Sequence, residues 1–135
     1  MQIQQIRLKN FKTFKDEEVF DVENKNLLIC GNNGSGKSSL HFALHVFFQS
    51  SIKGETYKKY FTDPKSMDGN ESLLNLFGNP SDYLIELSVL KANKNITKYQ
   101  IKPTLDPGAE SHQHSDIQNS DFASDFISHR LLVNF

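Results

Sequence analysis

Eight consecutive residues, Gly31-Asn32-Asn33-Gly34-Ser35-Gly36-Lys37-Ser38, constrain this chain more than any other feature in it. They satisfy the spacing G-x-x-x-x-G-K-[ST] in full, a pattern whose confirming surroundings are a buried strand before it and a helix after it. Both are readable without reference to the octapeptide. Leu27-Leu28-Ile29-Cys30 is a continuous apolar run between turn residues, which suits a strand covered on both faces. From Lys37 to about residue 50, Leu40, Ala43, Leu44, Phe47 and Phe48 recur at helical spacing. Phe42 and Val46 add apolar character elsewhere, so this helix is expected to be buried on more than one side.

The chemistry of the pattern is polyphosphate binding. Gly31, Gly34 and Gly36 permit unusual backbone angles and let the main chain approach phosphate oxygens without an obstructing Cβ. Consecutive N–H groups of Asn32, Asn33, Gly34, Ser35 and Gly36 can then turn inward as an anion nest. The helix that follows presents unpaired amides and the positive end of its dipole. Lys37 is the candidate catalytic cation, reaching the β- and γ-phosphates, and Ser38 is the candidate Mg²⁺ ligand. Ser39 is a further candidate, for the α-phosphate. The expected cofactors are therefore ATP and Mg²⁺.

Elsewhere the chain reads as an α/β domain. Residues 2–9 alternate, with Ile6 and Leu8 on one side and Arg7 and Lys9 on the other, and 17–22 form a second short strand. These two are expected to pair antiparallel. Residues 82–91 and 96–103 read as a hairpin around Ala92-Asn93-Lys94-Asn95. Residues 104–121 carry almost no large apolar group and are expected to be a mobile polar loop. Residues 122–135 resume a helical pattern.

The formal net charge of -1 gives no basic field over the chain, so composition offers no argument for nucleic-acid binding. Lys53, Lys58, Lys59 and Lys65, interleaved with Tyr57, Tyr60 and Phe61, are weighed as a DNA-backbone patch but read better as a solvated face. A single cysteine, Cys30, excludes an internal disulfide framework and suits a reducing compartment. With neither a membrane-length apolar run nor a signal-like N-terminus, no membrane association is expected and the cytoplasm is the expected location. His41 and His45 lie four apart on the helix, and His112 and His114 two apart, but neither pair has the further ligands a zinc site needs.

The opening IRLKNFKTF, the short strand after it, and NLLICGNNGSGKSSLHFAL together resemble the N-terminal lobe of SMC/RecF/RecN-like ATPases of the ABC type. The likeness covers residues 1–50. It implies a P-loop NTPase fold, the N-terminal lobe of an ABC/SMC-like head over residues 1–103, with an antiparallel strand layer. It also implies that the residues after Asn10-Phe11 lie near the nucleotide, which makes Lys12 and Thr13 candidate contacts. Members of that class also need an apolar strand ending in Asp-Glu, a Ser-Gly-Gly signature and a switch histidine, and the 135 residues contain no such acidic pair or signature. A γ-phosphate glutamine is also usual, and Gln100, Gln113 and Gln118 have no matching context. The resemblance therefore implies the first half of a nucleotide-binding domain: either a second copy or a partner subunit supplies the rest, or the sequence is truncated, and DNA is a possible partner of the assembly. Two other readings stand beside it: an ATP-binding subunit that does not hydrolyse, and a small P-loop kinase or GTPase.

Overall fold

The computed structural model describes residues 2–21, 37–52, 54–67 and 69–119. The glycine-rich residues 31–36, the apolar run 27–30 and the terminal segment 122–135 lie outside them. The described elements are strands β1 (Gln2–Lys9) and β2 (Glu18–Asp21), helix α1 (Lys37–Ser51), a 3-10 helix (Glu55–Phe61), strands β3 (Leu84–Leu90), β4 (Ile96–Ile101) and β5 (Glu110–Ser111), and helix α2 (Ser115–Gln118). The strands form one sheet in the order β2-β1-β3-β4-β5. Every pairing is antiparallel except the short parallel contact of β4 with β5.

Side-chain alternation decides which face is covered. Leu8, Ile85 and Ile101 stand in one cross-strand row, and Ile6, Leu87 and Tyr99 in the next. All six are buried, together with Leu40, Ala43, Leu44, Phe47 and Phe48 of α1, in one cluster. Each large side chain in it contributes roughly 1.5–3 kcal/mol of burial. Val46 and His45 are buried as well, so α1 is enclosed on more than one side, as its pattern requires. The alternate row on the sheet's other face is polar: Arg7, Glu86 and Gln100. Glu86 is 1 % exposed and answers its burial with two partners, Arg7 Nη1 at 3.2 Å and Gln100 Nε2 at 2.5 Å.

The hairpin turns through Lys94, whose φ of 67° is the left-handed geometry that closes such loops. Residues 104–119 differ from the expected mobile loop. They carry β5 and α2, and Ile117 is fully buried against the core. Two polar side chains add to this. α1 ends without a basic residue in its last turn, and Gln113 Nε2 donates to the Gly54 carbonyl at 2.8 Å while Gln118 Nε2 donates to the Ser51 carbonyl at 2.7 Å. Carbonyls at and just beyond the end of α1 thus find donors from a segment with little hydrophobicity.

One glycine is fixed by its neighbours. A Cβ at Gly69 would lie 2.3 Å from the Asp63 carbonyl oxygen and 2.8 Å from the Pro64 Cα, both backbone atoms that cannot swing away. Gly69→Ala is therefore expected to destabilise the fold by about 1–3 kcal/mol, the usual cost of overpacking, read as a lowered midpoint in urea unfolding.

Candidate functional site at the start of helix α1

The site is built from the turn that leaves β1 and the first turn of α1. The turn is tight. Phe11 and Phe14 exchange backbone hydrogen bonds at 2.8 and 2.9 Å. Asn10 and Lys12 have φ of 53° and 52°, left-handed angles uncommon outside glycine and less rare for asparagine than for lysine. Phe11 is buried in the core and anchors the turn from inside.

Thr13 faces Ser39. The two hydroxyls lie 3.0 Å apart, and the Thr13 N–H points at Ser39 Oγ at 3.4 Å. Ser39 is 5 % exposed, so this pairing gives a buried hydroxyl at the helix start a partner. Lys12 Nζ sits 4.5 Å from the centroid of the Phe42 ring, one turn further along α1, a cation–π contact. Of the residues singled out from sequence, Lys12, Thr13 and Ser39 are thus brought together at one end of α1. Lys37 and Ser38 open the helix as its first two residues, their side chains lying outside the described atoms. Asn32, Asn33, Gly34, Ser35 and Gly36 lie outside the described residues altogether.

The described residues suit a polyanion at this end. The first turn of α1 contains no acidic residue, so its amides and dipole meet no competing carboxylate within that turn. The nearby ammonium of Lys12 adds positive charge. Its weak hold on an aromatic face leaves it able to move to a stronger partner.

Other sequence candidates fall away from this end. Gln113 and Gln118 are committed to the far end of α1, about 20 Å away for a helix of this length. Gln100 lies in the sheet, bonded to Glu86. In the basic stretch, Lys58 pairs with Glu55 and Lys59 with Glu71, so both charges are locally neutralised. His45 is a buried core residue. His114 joins Glu110 and Asp116 in a trio of close ligand atoms, but each has an internal partner. Lys91 Nζ lies 2.7 Å from Asp116, holding that carboxyl below its ordinary range. His114 Nδ1 accepts from the Asp116 N–H at 3.0 Å, and its Nε2 lies 3.1 Å from Glu110. One of the three groups, the Asp116 carboxylate, is thus already neutralised by an ammonium.

Sequence reading missed the support behind the turn, residues 73–79. Lys12 N–H donates to the Leu73 carbonyl at 2.7 Å, Asn75 Nδ2 to the Lys12 carbonyl at 2.8 Å, and Asn10 Nδ2 to the Asn79 carbonyl at 2.6 Å. The only local signal was the Gly78-Asn79-Pro80 punctuation, which marks a turn and says nothing of what it touches.

Among the described residues, no helix is long and apolar enough to cross a membrane. A search of curated proteins finds no match to the chain. A family model described as AAA ATPase domain matches residues 1–121, nearly the whole length, and it agrees with the P-loop ATPase resemblance of the first fifty residues. The chain belongs to the AAA ATPase domain family.

Proposed function

We propose that this chain is the ATP-binding module of an SMC-like ATPase, holding MgATP at the start of α1. The observation that carries the reading is a complete G-x-x-x-x-G-K-S pattern leading directly into a 15-residue helix, with the Lys12–Thr13 turn hydrogen-bonded to that helix's first turn. The family match supports nucleotide binding in general.

In this reading the backbone amides of residues 32–36 and the helix start hold the phosphates. Lys37 neutralises the terminal ones, and the Ser38 hydroxyl ligates Mg²⁺. Held there, Mg²⁺ would supply charge neutralisation for the phosphates. Thr13 fixes the rotamer of Ser39, and Lys12 leaves the Phe42 face for a phosphate oxygen. Nothing in the 135 residues supplies the acidic pair that would orient a water. The module alone therefore binds but turns over slowly until the remaining half of the site is supplied. Coupling to DNA processing or to an effector would come through the completed assembly.

Titrating the chain with a fluorescent ATP analogue tests this. Saturable, Mg²⁺-dependent binding displaced by ATP is expected, with phosphate release far below ordinary enzyme rates of about 1–1000 s⁻¹. No saturable binding would remove the nucleotide reading. Turnover at ordinary rates by the chain alone would remove the requirement for that remaining half.

A further inference from the structure

We infer that Asn75 is a positioning residue for the nucleotide, acting from the far side of the Lys12–Thr13 turn; the inference rests on the ATP-binding reading above. Four hydrogen bonds converge on Asn75, one of them from the Gly78 N–H to its carbonyl at 3.3 Å. Its Nδ2 donates to the Lys12 carbonyl at 2.8 Å, its Oδ1 accepts from the Phe77 N–H at 2.9 Å, and its own N–H donates to the Asn10 carbonyl at 3.4 Å. It thus holds the turn at Asn10 and at Lys12, the two residues with left-handed φ.

A non-glycine residue in that conformation persists when its surroundings over-determine it, at a cost of about 1–2 kcal/mol per residue. Asn75 is the side chain that closes the Lys12 peptide. The Lys12 N–H is taken by Leu73 and its carbonyl by Asn75, so both polar atoms of that residue are tied to one segment. The next residue is Thr13, whose N–H and hydroxyl meet Ser39. A line of contact therefore runs from Asn75 through the Lys12 carbonyl and Thr13 to the first turn of α1. Gly78 lets the same segment approach closely, because a Cβ there would lie 2.0 Å from Asn10 Oδ1. Binding to a turn already in place avoids the ordering cost that a loose turn would impose on each binding event.

The test is a double-mutant cycle on the full chain, with a fluorescent ATP analogue plus Mg²⁺ as the probe. Asn75→Ser keeps an acceptor for the Phe77 N–H but is too short to reach the Lys12 carbonyl. It should weaken analogue binding about tenfold. Thr13→Ala should weaken binding as well, and adding Asn75→Ser to it should cost far less than tenfold, because the path is already cut. A merely structural role would lower the unfolding midpoint of the nucleotide-free protein and leave the cycle additive. Equal affinity for Asn75→Ser and wild type, or full additivity with Thr13→Ala, overturns the inference while leaving ATP binding intact. No binding by wild type overturns both. If Asn75→Ser does not fold, the near-isosteric Asn75→Asp, which exchanges the donor toward Lys12 for a charged acceptor, is read in the same cycle by the same criteria at a salt concentration high enough to screen that charge.

Discussion

Lys37→Ala is expected to weaken MgATP binding about 10- to 100-fold while barely changing the stability of the nucleotide-free protein. Lys37 is the seventh residue of the glycine-rich pattern and the first of α1. An ammonium there meets the most highly charged part of a triphosphate. A hydrogen bond to a charged group contributes about 1.5–3 kcal/mol, and each 1.4 kcal/mol is a factor of ten in affinity. Removing it leaves the backbone amides and the helix end to hold the anion, so binding weakens but need not vanish. Folding has little at stake, since alanine is the strongest helix former and the first helical turn tolerates it. The fluorescent-analogue titration gives the affinity, and thermal unfolding without nucleotide gives the control. Lys37→Arg sharpens the test: it keeps the charge but exchanges a compact point donor for a planar fork, and only partial recovery is expected. Wild-type affinity in Lys37→Ala would mean that the octapeptide is an ordinary turn and that the nucleotide reading is wrong.

How much of this was legible follows from the range over which each signal acts. β1 declares itself because Ile6 and Leu8 alternate with Arg7 and Lys9, and α1 because Leu40, Leu44, Phe47 and Phe48 fall on one stripe. The β3–β4 hairpin is visible because its two apolar runs flank a turn. Such patterns are local and survive in one dimension. Residues 104–119 leave no such trace. Their order comes from one fully buried isoleucine, one buried histidine, and two glutamine amides bonded near the end of α1, some 60 residues earlier in the chain. Composition sees only polar residues there. The candidate site divides in the same way. The octapeptide announces its chemistry because function dictates each of its positions. Asn75, 63 residues from the carbonyl it holds, is an asparagine in a turn-rich stretch until the fold brings it to Lys12.

His112 gives the largest expected effect of pH on stability. Its ring is 2 % exposed and lies 4.6 Å from the Tyr57 ring and 6.1 Å from the Phe47 ring, centroid to centroid. Its Nε2 has no hydrogen-bond partner among the described residues. Burial outweighs the backbone hydrogen bond with Gln100 that would favour a charged imidazolium, and it pushes the pKa down from 6.5 to about 4. The folded state thus favours the neutral ring, while the unfolded chain protonates it near 6.5. The stabilisation is present in full above pH 6.5. It falls as the unfolded state takes up a proton that the folded state refuses, and it is exhausted once the pH drops below about 4. A shift of this size corresponds to about 3 kcal/mol, a large share of the roughly 5–15 kcal/mol that holds a domain together. Urea unfolding at a series of pH values should show this loss between 6.5 and 4. Asp106 and Asp116, held below their ordinary range by Lys102 and Lys91, lose their contributions at lower pH and do not account for it. His112→Phe fills the same aromatic niche without a titrating nitrogen, so the variant should lose most of that slope while keeping its stability at pH 7 within about 1.5 kcal/mol. Identical pH dependence in the variant and wild type between 4 and 6.5 would show that the histidine is not held neutral by the core.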